Sequence, residues 1–227
     1  KNGFRLWVSR FRKVRKMKNK GILTVISGFS GAGKGTLMKR LLTLHPQEYA
    51  LSISATTRAP RPGEEEGREY FFKTKEAFEE MIAQDAFIEY ACYVENYYGT
   101  PQNFVDKNLE AGKNVLLEIE IQGAMKIREK RPDAVLLFVT PPDADTLRAR
   151  LEGRQTETKE VVEARLARAA QESEGMDQYD YLVVNDDLDT CVEQTHELIQ
   201  LQHRRASKNM ELINQIRKDL GNLSKGE

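Results

Sequence analysis

The stretch GFSGAGKGT, residues 28 to 36, places one lysine among closely spaced glycines, between an apolar run and a helical pattern of leucines. Glycine lets the backbone curl so that successive N–H groups point at one anion. The helix that follows adds its positive amino end, and the lysine adds a mobile charge. The GxxxxGK spacing therefore predicts a loop that binds the phosphates of a nucleoside triphosphate. The predicted contacts are Gly28, Ser30, Gly31, Ala32, Gly33, Lys34, Gly35 and Thr36.

One position of this loop differs from the common pattern. Gly35 stands where a serine or threonine often ligates Mg²⁺, and Thr36 follows one residue later. Mg²⁺ keeps several waters and is commonly bound through the phosphates of the substrate. We therefore expect no direct ligand from the protein, with the ion held mainly by phosphates and water. A glycine-rich turn without a ligand is the alternative interpretation of the stretch.

A second set of candidate phosphate-binding side chains lies in and after residues 54 to 70. Arg58 and Arg61 are three residues apart, and two planar guanidinium groups can grip one phosphate from two sides. Tyr70 and Tyr98 can donate hydroxyl hydrogen bonds to the same group. The alternative is a solvated loop whose arginines pair with the acidic run at 64 to 66.

Taken together, these motifs resemble the guanylate kinase family. The family pattern is present in SATTRAPRPGEEEGREY (54–70), and four further motifs follow in order: FIEYACYVENYYGTP (87–101), LLEIEIQGA (116–124), RLEGRQTET (150–158) and YDYLVVND (179–186). The resemblance covers about residues 21 to 200. It implies transfer of the γ-phosphoryl group of ATP to GMP or dGMP, with Mg²⁺, in purine nucleotide metabolism.

The resemblance also implies roles on the acceptor side. Glu89 matches the carboxylate that accepts both the N1–H and the 2-amino group of guanine, while adenine would meet it with a lone pair. A buried site of this kind rejects the wrong base strongly, by about 10⁴-fold in favourable cases. Ser54 and Thr100 match hydroxyl groups near the guanine O6 edge. The implied GMP contacts are Ser54, Arg58, Arg61, Glu64, Tyr70, Glu89, Tyr98, Thr100, Glu118 and Glu120.

Two of these contacts are also predicted to share one face of a strand. Glu118 and Glu120 are two residues apart after an apolar run, which is the pattern of a Walker B strand. The resemblance places them near the acceptor nucleoside and Mg²⁺, although the family often has aspartate there.

On the donor side the resemblance implies a set of catalytic cations: Lys34, Arg61, Arg154 and Arg165. Arg150 and Asn185 are implied ATP contacts, and Asn185 is expected to touch the adenine. Arg150 and Arg154 lie at i and i+4, so a continuous helix would present both on one face. The alternative is an ordinary helix surface in which these arginines pair with nearby glutamates.

The elements that must position these residues alternate between strands and helices. Apolar runs at 22–27, 51–54, 115–121, 134–140 and 181–184 predict strands, with helices between them. Thr100 and Pro101 predict the N-cap and first residue of a helix that ends at Gly112. Alternation of this kind predicts an α/β fold of the P-loop NTPase type, with a mostly parallel sheet flanked by helices.

Within this fold we expect an inserted GMP-binding segment at 55–100 and a helical lid at 150–165. The core of the domain is then 21–54, 101–149 and 166–205. Residues 1–20 are a basic extension with nine Lys or Arg and no acid. Residues 1–16 either precede a natural start at Met17 or form a membrane-surface helix or an organelle-targeting peptide. Residues 206–227 predict an amphipathic C-terminal helix that packs on the core.

The amino-acid composition limits the classes of protein to which the chain can belong. The chain has 227 residues, of which 40% are hydrophobic and 31% are charged, and its formal net charge is zero. No apolar run approaches the roughly 20 residues of a membrane span, so we expect no membrane partner. We also expect no nucleic-acid partner. Cys92 and Cys191 lack metal-binding spacing, which favours a reducing compartment such as the cytoplasm. The three histidines form no sequence cluster with them, so we expect no zinc site.

Two other functions compete. Scaffold domains that resemble guanylate kinases bind phosphorylated peptides, but they lack the intact phosphate loop that is present here. Another nucleoside monophosphate kinase is the second possibility, and Glu89 with Ser54 and Thr100 argues against adenylate. A GTPase is disfavoured because the chain has no NKxD motif. The sequence does not decide between a monomer and a homo-oligomer.

Overall fold

Nine strands and eight α-helices make up the part of the chain that the structure describes. The structure is a computed structural model, and it describes residues 20–153 and 158–224. In chain order the elements are β1 (Leu23–Gly28), α1 (Lys34–Leu44), β2 (Tyr49–Leu51), β3 (Ser54–Thr56), β4 (Tyr70–Phe72), α2 (Lys75–Ala83), β5 (Phe87–Tyr93), β6 (Asn96–Pro101), α3 (Gln102–Glu110), β7 (Asn114–Glu118), α4 (Ile121–Lys130), β8 (Val135–Thr140), α5 (Ala144–Glu152), α6 (Lys159–Ser173), β9 (Tyr181–Val184), α7 (Leu188–Gln202) and α8 (Met210–Ser224).

Five of these strands form a parallel sheet in the order β2-β7-β1-β8-β9. The strands read as continuous apolar runs because helices cover both faces of the sheet. Two clusters of buried side chains, one on each face, include Ile26 and Leu137 in the first and Val25 and Leu136 in the second. The predicted α/β fold with a helix-flanked parallel sheet is confirmed. Because all five strands run the same way, the loops after their carboxyl ends meet at one edge, where ligands bind in such folds.

A second sheet of four strands, in the order β4-β3-β6-β5, stands beside this edge. Its own small core holds Ala55, Phe78 and Phe87, and the rings of Phe78 and Phe87 stack with centroids 4.3 Å apart. The chain enters this sheet after β2 and leaves it where β6 runs into α3. The second sheet can therefore carry side chains toward the carboxyl edge of the first.

The structure corrects three boundaries of the strands and helices that the sequence predicts. The strand predicted at 51–54 is two strands, β2 and β3, which belong to different sheets. Thr100 is the penultimate residue of β6 rather than an N-cap, and α3 begins at Gln102 with Pro101 as its cap residue. The strand predicted at 115–121 ends at Glu118.

The C-terminal helix α8 forms as predicted, but it does not pack on the core. Its apolar side chains, including Met210, Ile216, Leu220 and Leu223, are exposed, and no residue of α8 is buried. Among the described helices, none is both long enough and apolar enough to cross a bilayer. The prediction of a separate basic extension at 1–20 falls, except for Lys20, outside the described residues.

Candidate active site

The predicted phosphate loop joins β1 to α1 in a conformation that depends on glycine. Gly33 has φ 89° at the start of α1, and a Cβ there would lie 2.4 Å from Nδ2 of Asn185. At Gly28 a Cβ would lie 2.1 Å from the carbonyl oxygen of Val139 in β8. Side chains larger than hydrogen are therefore excluded at both positions by close packing. This close packing fixes the loop at the carboxyl edge of the sheet.

Lys34 is the first residue of α1 and folds back over the loop. Its Nζ donates hydrogen bonds to the carbonyl oxygens of Gly28, at 2.7 Å, and Phe29, at 3.1 Å. No side chain of the described residues caps the amino end of α1, so the N–H groups of its first turn can bind an anion. The ammonium group and the helix end together form a positively charged concave site suited to phosphate.

Asn185 packs under the phosphate loop and is hydrogen-bonded to it. Its side chain is only 6% exposed, and its Nδ2 donates to the carbonyl oxygen of Ala32 at 2.8 Å. Its backbone N–H donates to Thr140 at the end of β8. The amide therefore holds the phosphate loop, because the residue follows β9 directly and lies beneath the loop. The contact of Asn185 with the adenine of ATP stays a prediction.

Seven of the ten predicted acceptor residues line a cavity of about 440 Å³ between the two sheets, whereas Arg58, Arg61 and Glu64 are not among its lining residues. Residues from β3, β4, β5 and β6 line one side, and residues at the end of β7 and in α4 line the other. The lining residues that the sequence predicted are Ser54, Tyr70, Glu89, Tyr98, Thr100, Glu118 and Glu120. The cavity is therefore formed by residues that are up to 72 positions apart in the chain, from Ser54 to Lys126, brought together by the second sheet.

Glu89 is the buried carboxylate of this cavity. Its residue is 8% exposed, and its Oε1 accepts a hydrogen bond of 2.7 Å from the hydroxyl of Thr100. Burial raises the pKa of Glu89, while the Thr100 hydrogen bond and the charge of Lys126 act in the opposite direction. A carboxylate placed in this way has unused acceptor capacity that faces the cavity, as recognition of two adjacent N–H donors requires.

Arg58 is held at the rim of the cavity by a set of polar and aromatic contacts. Its Nη2 donates to both carboxylate oxygens of Glu64, at 2.8 and 2.9 Å, and its guanidinium carbon lies 5.4 Å from the centroid of the Tyr70 ring. The rings of Tyr70 and Tyr98 are 6.0 Å apart, edge to face. The hydrogen bond to Arg58 lowers the pKa of Glu64, and the N–H of Arg61 donates to the same carboxylate. Glu64 therefore fixes the loop that carries both arginines.

The prediction that Glu118 and Glu120 lie on one face of the same strand is wrong. Glu118 ends β7, and Glu120 is the residue before α4, where its carboxylate pairs with Arg168 of α6 at 2.8 Å. Both line the acceptor cavity. A helix that starts only three residues after the strand ends leaves no room for a further strand residue.

Two of the predicted donor-side arginines, Arg150 and Arg165, lie on the helices α5 and α6. A Cβ at Gly31 would lie 2.9 Å from Cδ2 of Leu151, which places α5 directly against the loop. Arg150 in α5 and Arg165 in α6 are both partly buried, and the two helices are joined by an ion pair between Arg148 and Glu163. Arg154, which was expected to share a helical face with Arg150, lies outside the described residues.

Sequence reasoning missed eight of the lining residues, and three of these lie on α4: Gln122, Gly123 and Lys126. These three fall inside the LLEIEIQGA motif or just after it. The other five are Ala91, Cys92, Tyr93, Gly99 and Ile119. A Cβ at Gly123 would lie 2.2 Å from Cδ1 of Ile119 and 3.7 Å from Oε2 of Glu89. The motif itself was the available signal, since its glycine lets α4 approach the buried carboxylate.

Comparisons with known proteins agree with this geometry. The family model described as Guanylate kinase matches residues 20–202. The chain is similar to the guanylate kinase of Latilactobacillus sakei, at 46% identity over 90% of this chain and 100% of the relative, and to that of Caldanaerobacter subterraneus, at 47% over 89% and 98%. The crystal structure of guanylate kinase from Anaplasma phagocytophilum is similar with a TM-score of 0.63 and 29% identity, over 84% of this chain and 90% of that one.

Proposed function

This chain belongs to the guanylate kinase family, and from that premise we propose how its residues transfer the γ-phosphoryl group of ATP to GMP, giving ADP and GDP. The observation that carries the proposal is the position of one cavity. It contains the buried carboxylate Glu89 and opens beside an intact phosphate loop at the same edge of the parallel sheet. Two nucleotides bound in these sites would meet with their phosphates end to end.

The donor side is the loop with α1. ATP displaces the Nζ of Lys34 from the carbonyl oxygens of Gly28 and Phe29, and the ammonium group then binds the outer phosphates. Backbone N–H groups of Gly31 to Thr36 hold the remaining phosphate oxygens. Asn185 acts as a positioning residue, because it keeps Ala32 and Gly33 in the conformation that directs these N–H groups inward.

Mg²⁺ is the metal of this family, and the donor set of this chain fits an ion that is bound mostly through phosphates and water. Gly35 offers no side-chain oxygen, whereas the exposed carboxylate of Glu118 stands opposite Ile26 of β1 at the edge that carries the loop. Carboxylate oxygen is a ligand that Mg²⁺ accepts directly or through water. When bound, the ion neutralises charge on the phosphates that are being transferred.

The acceptor side is the cavity. Arg58, Arg61, Tyr70 and Tyr98 bind the phosphate of GMP, and Glu89 with Ser54 and Thr100 binds the guanine edge. Arg58 already stands at the rim, held by Glu64 and Tyr70. A preformed arrangement of this kind lowers the ordering cost that binding would otherwise carry.

No general base is needed for the reaction. The attacking atom is a phosphate oxygen of GMP, which is already ionised near neutral pH. Catalysis then consists of alignment and of cancelling charge on the moving phosphoryl group. We assign this cancellation to Lys34 and to Arg61, Arg154 and Arg165.

The second sheet and the helices α5 and α6 are the segments that we expect to close over the substrates. We propose that 55–100 is the GMP-binding insertion and that 150–165 is the lid, since α5 already contacts the phosphate loop through Leu151. Closure excludes water, which would otherwise compete with GMP for the phosphoryl group. The unpaired cysteines Cys92 and Cys191 are compatible with a reducing compartment such as the cytoplasm.

A binding-only scaffold domain is the competing function, and a substrate panel decides between them. Purified full-length chain is incubated with ATP and Mg²⁺ and with each of GMP, dGMP, AMP, CMP and UMP, and ADP release is followed by a coupled assay. We expect turnover with GMP and dGMP, with kcat/KM for GMP about 10⁴-fold above that for AMP. A chain that binds GMP but releases no ADP would be a scaffold domain, and equal rates with AMP would contradict the assignment of the cavity.

The positioning role of Asn185 gives a second prediction. Asn185→Leu removes the amide that donates to Ala32 and leaves that carbonyl without its buried donor, at a cost of about 1–3 kcal/mol in unfolding free energy. We expect KM for ATP to rise about 10-fold while KM for GMP stays unchanged, because only the phosphate loop is disturbed. The measurement is steady-state kinetics with each substrate varied in turn.

The matched control is Asn209→Leu, since that amide donates to the backbone carbonyls of His203 and Arg205 at the far end of α7. It should leave both KM values unchanged. An Asn185→Leu variant with a normal KM for ATP would show that the loop keeps its conformation without this hydrogen bond.

A further inference from the structure

Two histidines and a glutamate that are far apart in sequence meet at the edge of the sheet opposite the phosphate loop. His45 caps the carboxyl end of α1, Glu48 ends the turn that follows it, and His196 lies on α7. The imidazole rings of His45 and His196 stack with centroids 3.9 Å apart and planes within 5°. One possible ligand atom from each of the three residues lies within 4.8 Å of the other two. We propose that these three residues form a binding site for a divalent transition-metal ion of the Zn²⁺ type.

The spacing between two of the ligands is already close to the one that such an ion needs. Nδ1 of His45 and Oε1 of Glu48 are 3.2 Å apart. Two ligands at about 2.0–2.1 Å from a tetrahedral Zn²⁺ are separated by about 3.3 Å. The widest separation in the cluster must close by up to about 1.5 Å to reach the same value, and the parallel rings must tilt so that both nitrogens face one ion. Rotation of the partly exposed His45 ring, followed by the exposed Glu48 side chain, meets both requirements.

Neighbouring groups hold the candidate ligands as outer-shell partners hold metal ligands. The hydroxyl of the buried Tyr49 is 2.9 Å from Nδ1 of His196. Nε2 of Gln200 donates to Oε2 of Glu48 at 2.9 Å, which leaves Oε1 to face His45. The backbone of Glu48 is itself fixed, because its carbonyl accepts a hydrogen bond from Asn114 at the start of β7.

The cluster is open to solvent on one side. The side chains of His45 and Glu48 are 28% and 47% exposed, so an ion can enter from solvent.

The ligand set separates this site from the one that uses Mg²⁺. Two imidazole nitrogens and one carboxylate oxygen suit Zn²⁺ and neighbouring transition metals, whereas Mg²⁺ prefers oxygen alone. The site lies before β2, at the amino edge of the parallel strands, and the phosphate loop follows β1 at the carboxyl edge. A metal here would join the end of α1 to α7 and stabilise the fold without contacting substrate.

The test uses the full chain after metal removal, without nucleotide, in a Cys92→Ser background that removes the exposed thiol. Zn²⁺ binding is measured by calorimetry, and Co²⁺ is added in a parallel titration to read its visible absorption. We expect one ion per chain and loss of at least about 100-fold in affinity in His45→Ala and in His196→Ala. Gln200→Ala should weaken binding about 10-fold, as removal of an outer-shell partner does.

His203→Gln is the matched control, because the third histidine contacts Asn114 instead of the cluster. It should bind Zn²⁺ as tightly as the parent. At free Zn²⁺ 100 times the dissociation constant, the unfolding midpoint of the parent should rise by about 5–10 °C, and the two ligand variants should show no rise.

Several outcomes would overturn the proposal. They are no stoichiometric binding up to millimolar Zn²⁺, binding that survives both ligand substitutions, or equal loss in His203→Gln. Thermal unfolding of the metal-free variants checks that each is folded before its affinity is compared. None of these readouts involves nucleotide, so they are independent of the kinase assay.

Discussion

Lys34→Ala should lower kcat about 10³-fold or more while the protein remains folded. Lys34 is the only lysine within the phosphate loop motif, and its ammonium group is poised over that loop by the carbonyls of Gly28 and Phe29. Charge on the moving phosphoryl group develops at this point, so the interaction is stronger in the transition state than in the bound substrate. KM for ATP should therefore change much less than kcat.

Lys39→Ala is the matched control for this prediction. Lys39 lies on the same helix α1, five residues after Lys34, and is exposed. We expect its kcat and KM to equal those of the parent. Rates are measured by ADP release with GMP at saturation, and circular dichroism checks folding. A Lys34→Ala enzyme within tenfold of the parent rate would refute the role of the ammonium group.

The phosphate loop could be predicted from sequence because its determinants are local. Gly28, Gly33 and Lys34 lie within seven consecutive residues, and the backbone geometry that they require is the one observed. The parallel sheet could be predicted for a related reason. A strand whose two faces are both covered by helices must be a continuous apolar run. Local chemistry and simple periodicity suffice for these features.

Features that depend on where separate elements meet could not be predicted in the same way. The sequence shows that Asn185 follows the last strand, but only the packed structure shows that its amide donates to Ala32 in the phosphate loop. Glu120 was placed on a strand because residue spacing does not reveal how soon α4 begins. His45 and His196 looked isolated in sequence, and they stack only because α1 and α7 pack together.

The acceptor cavity could be predicted only in part. The residue types around Glu89 and a buried site were expected from the motifs, yet the motifs do not state which hydroxyl donates to the carboxylate. The contact with Thr100 arises because β5 and β6 are antiparallel neighbours. That pairing places the Thr100 hydroxyl against Glu89 and removes its alternative role as a helix cap.

Glu89→Gln should change which base the enzyme accepts. The carboxylate can accept two hydrogen bonds from guanine, whereas the amide offers one acceptor and one donor, and the donor then opposes a guanine N–H. Loss of these charge-assisted bonds costs about 4 kcal/mol, or about 10³-fold in kcat/KM for GMP. Activity with AMP should not fall, so the preference for GMP over AMP should shrink by the same factor.

Because the pKa of Glu89 is raised, the unfolding free energy of the protein should depend on pH. A carboxyl group with a higher pKa in the folded protein than in the unfolded chain stabilises the fold below its ordinary pKa, and this stabilisation is lost as pH rises through the raised value. The ligand-free parent should therefore be less stable than Glu89→Gln near neutral pH, and the difference should vanish in acid. Urea unfolding at a series of pH values measures this difference.

Glu80→Gln is the control, since this exposed glutamate lies on α2, outside the acceptor cavity. It should keep both the base preference and the pH profile of the parent. An unchanged ratio of GMP to AMP activity in Glu89→Gln would mean that guanine is not read by this carboxylate. A Glu89→Gln protein that lost stability at neutral pH would show instead that the ionised group is needed to hold Thr100 and β6 in place.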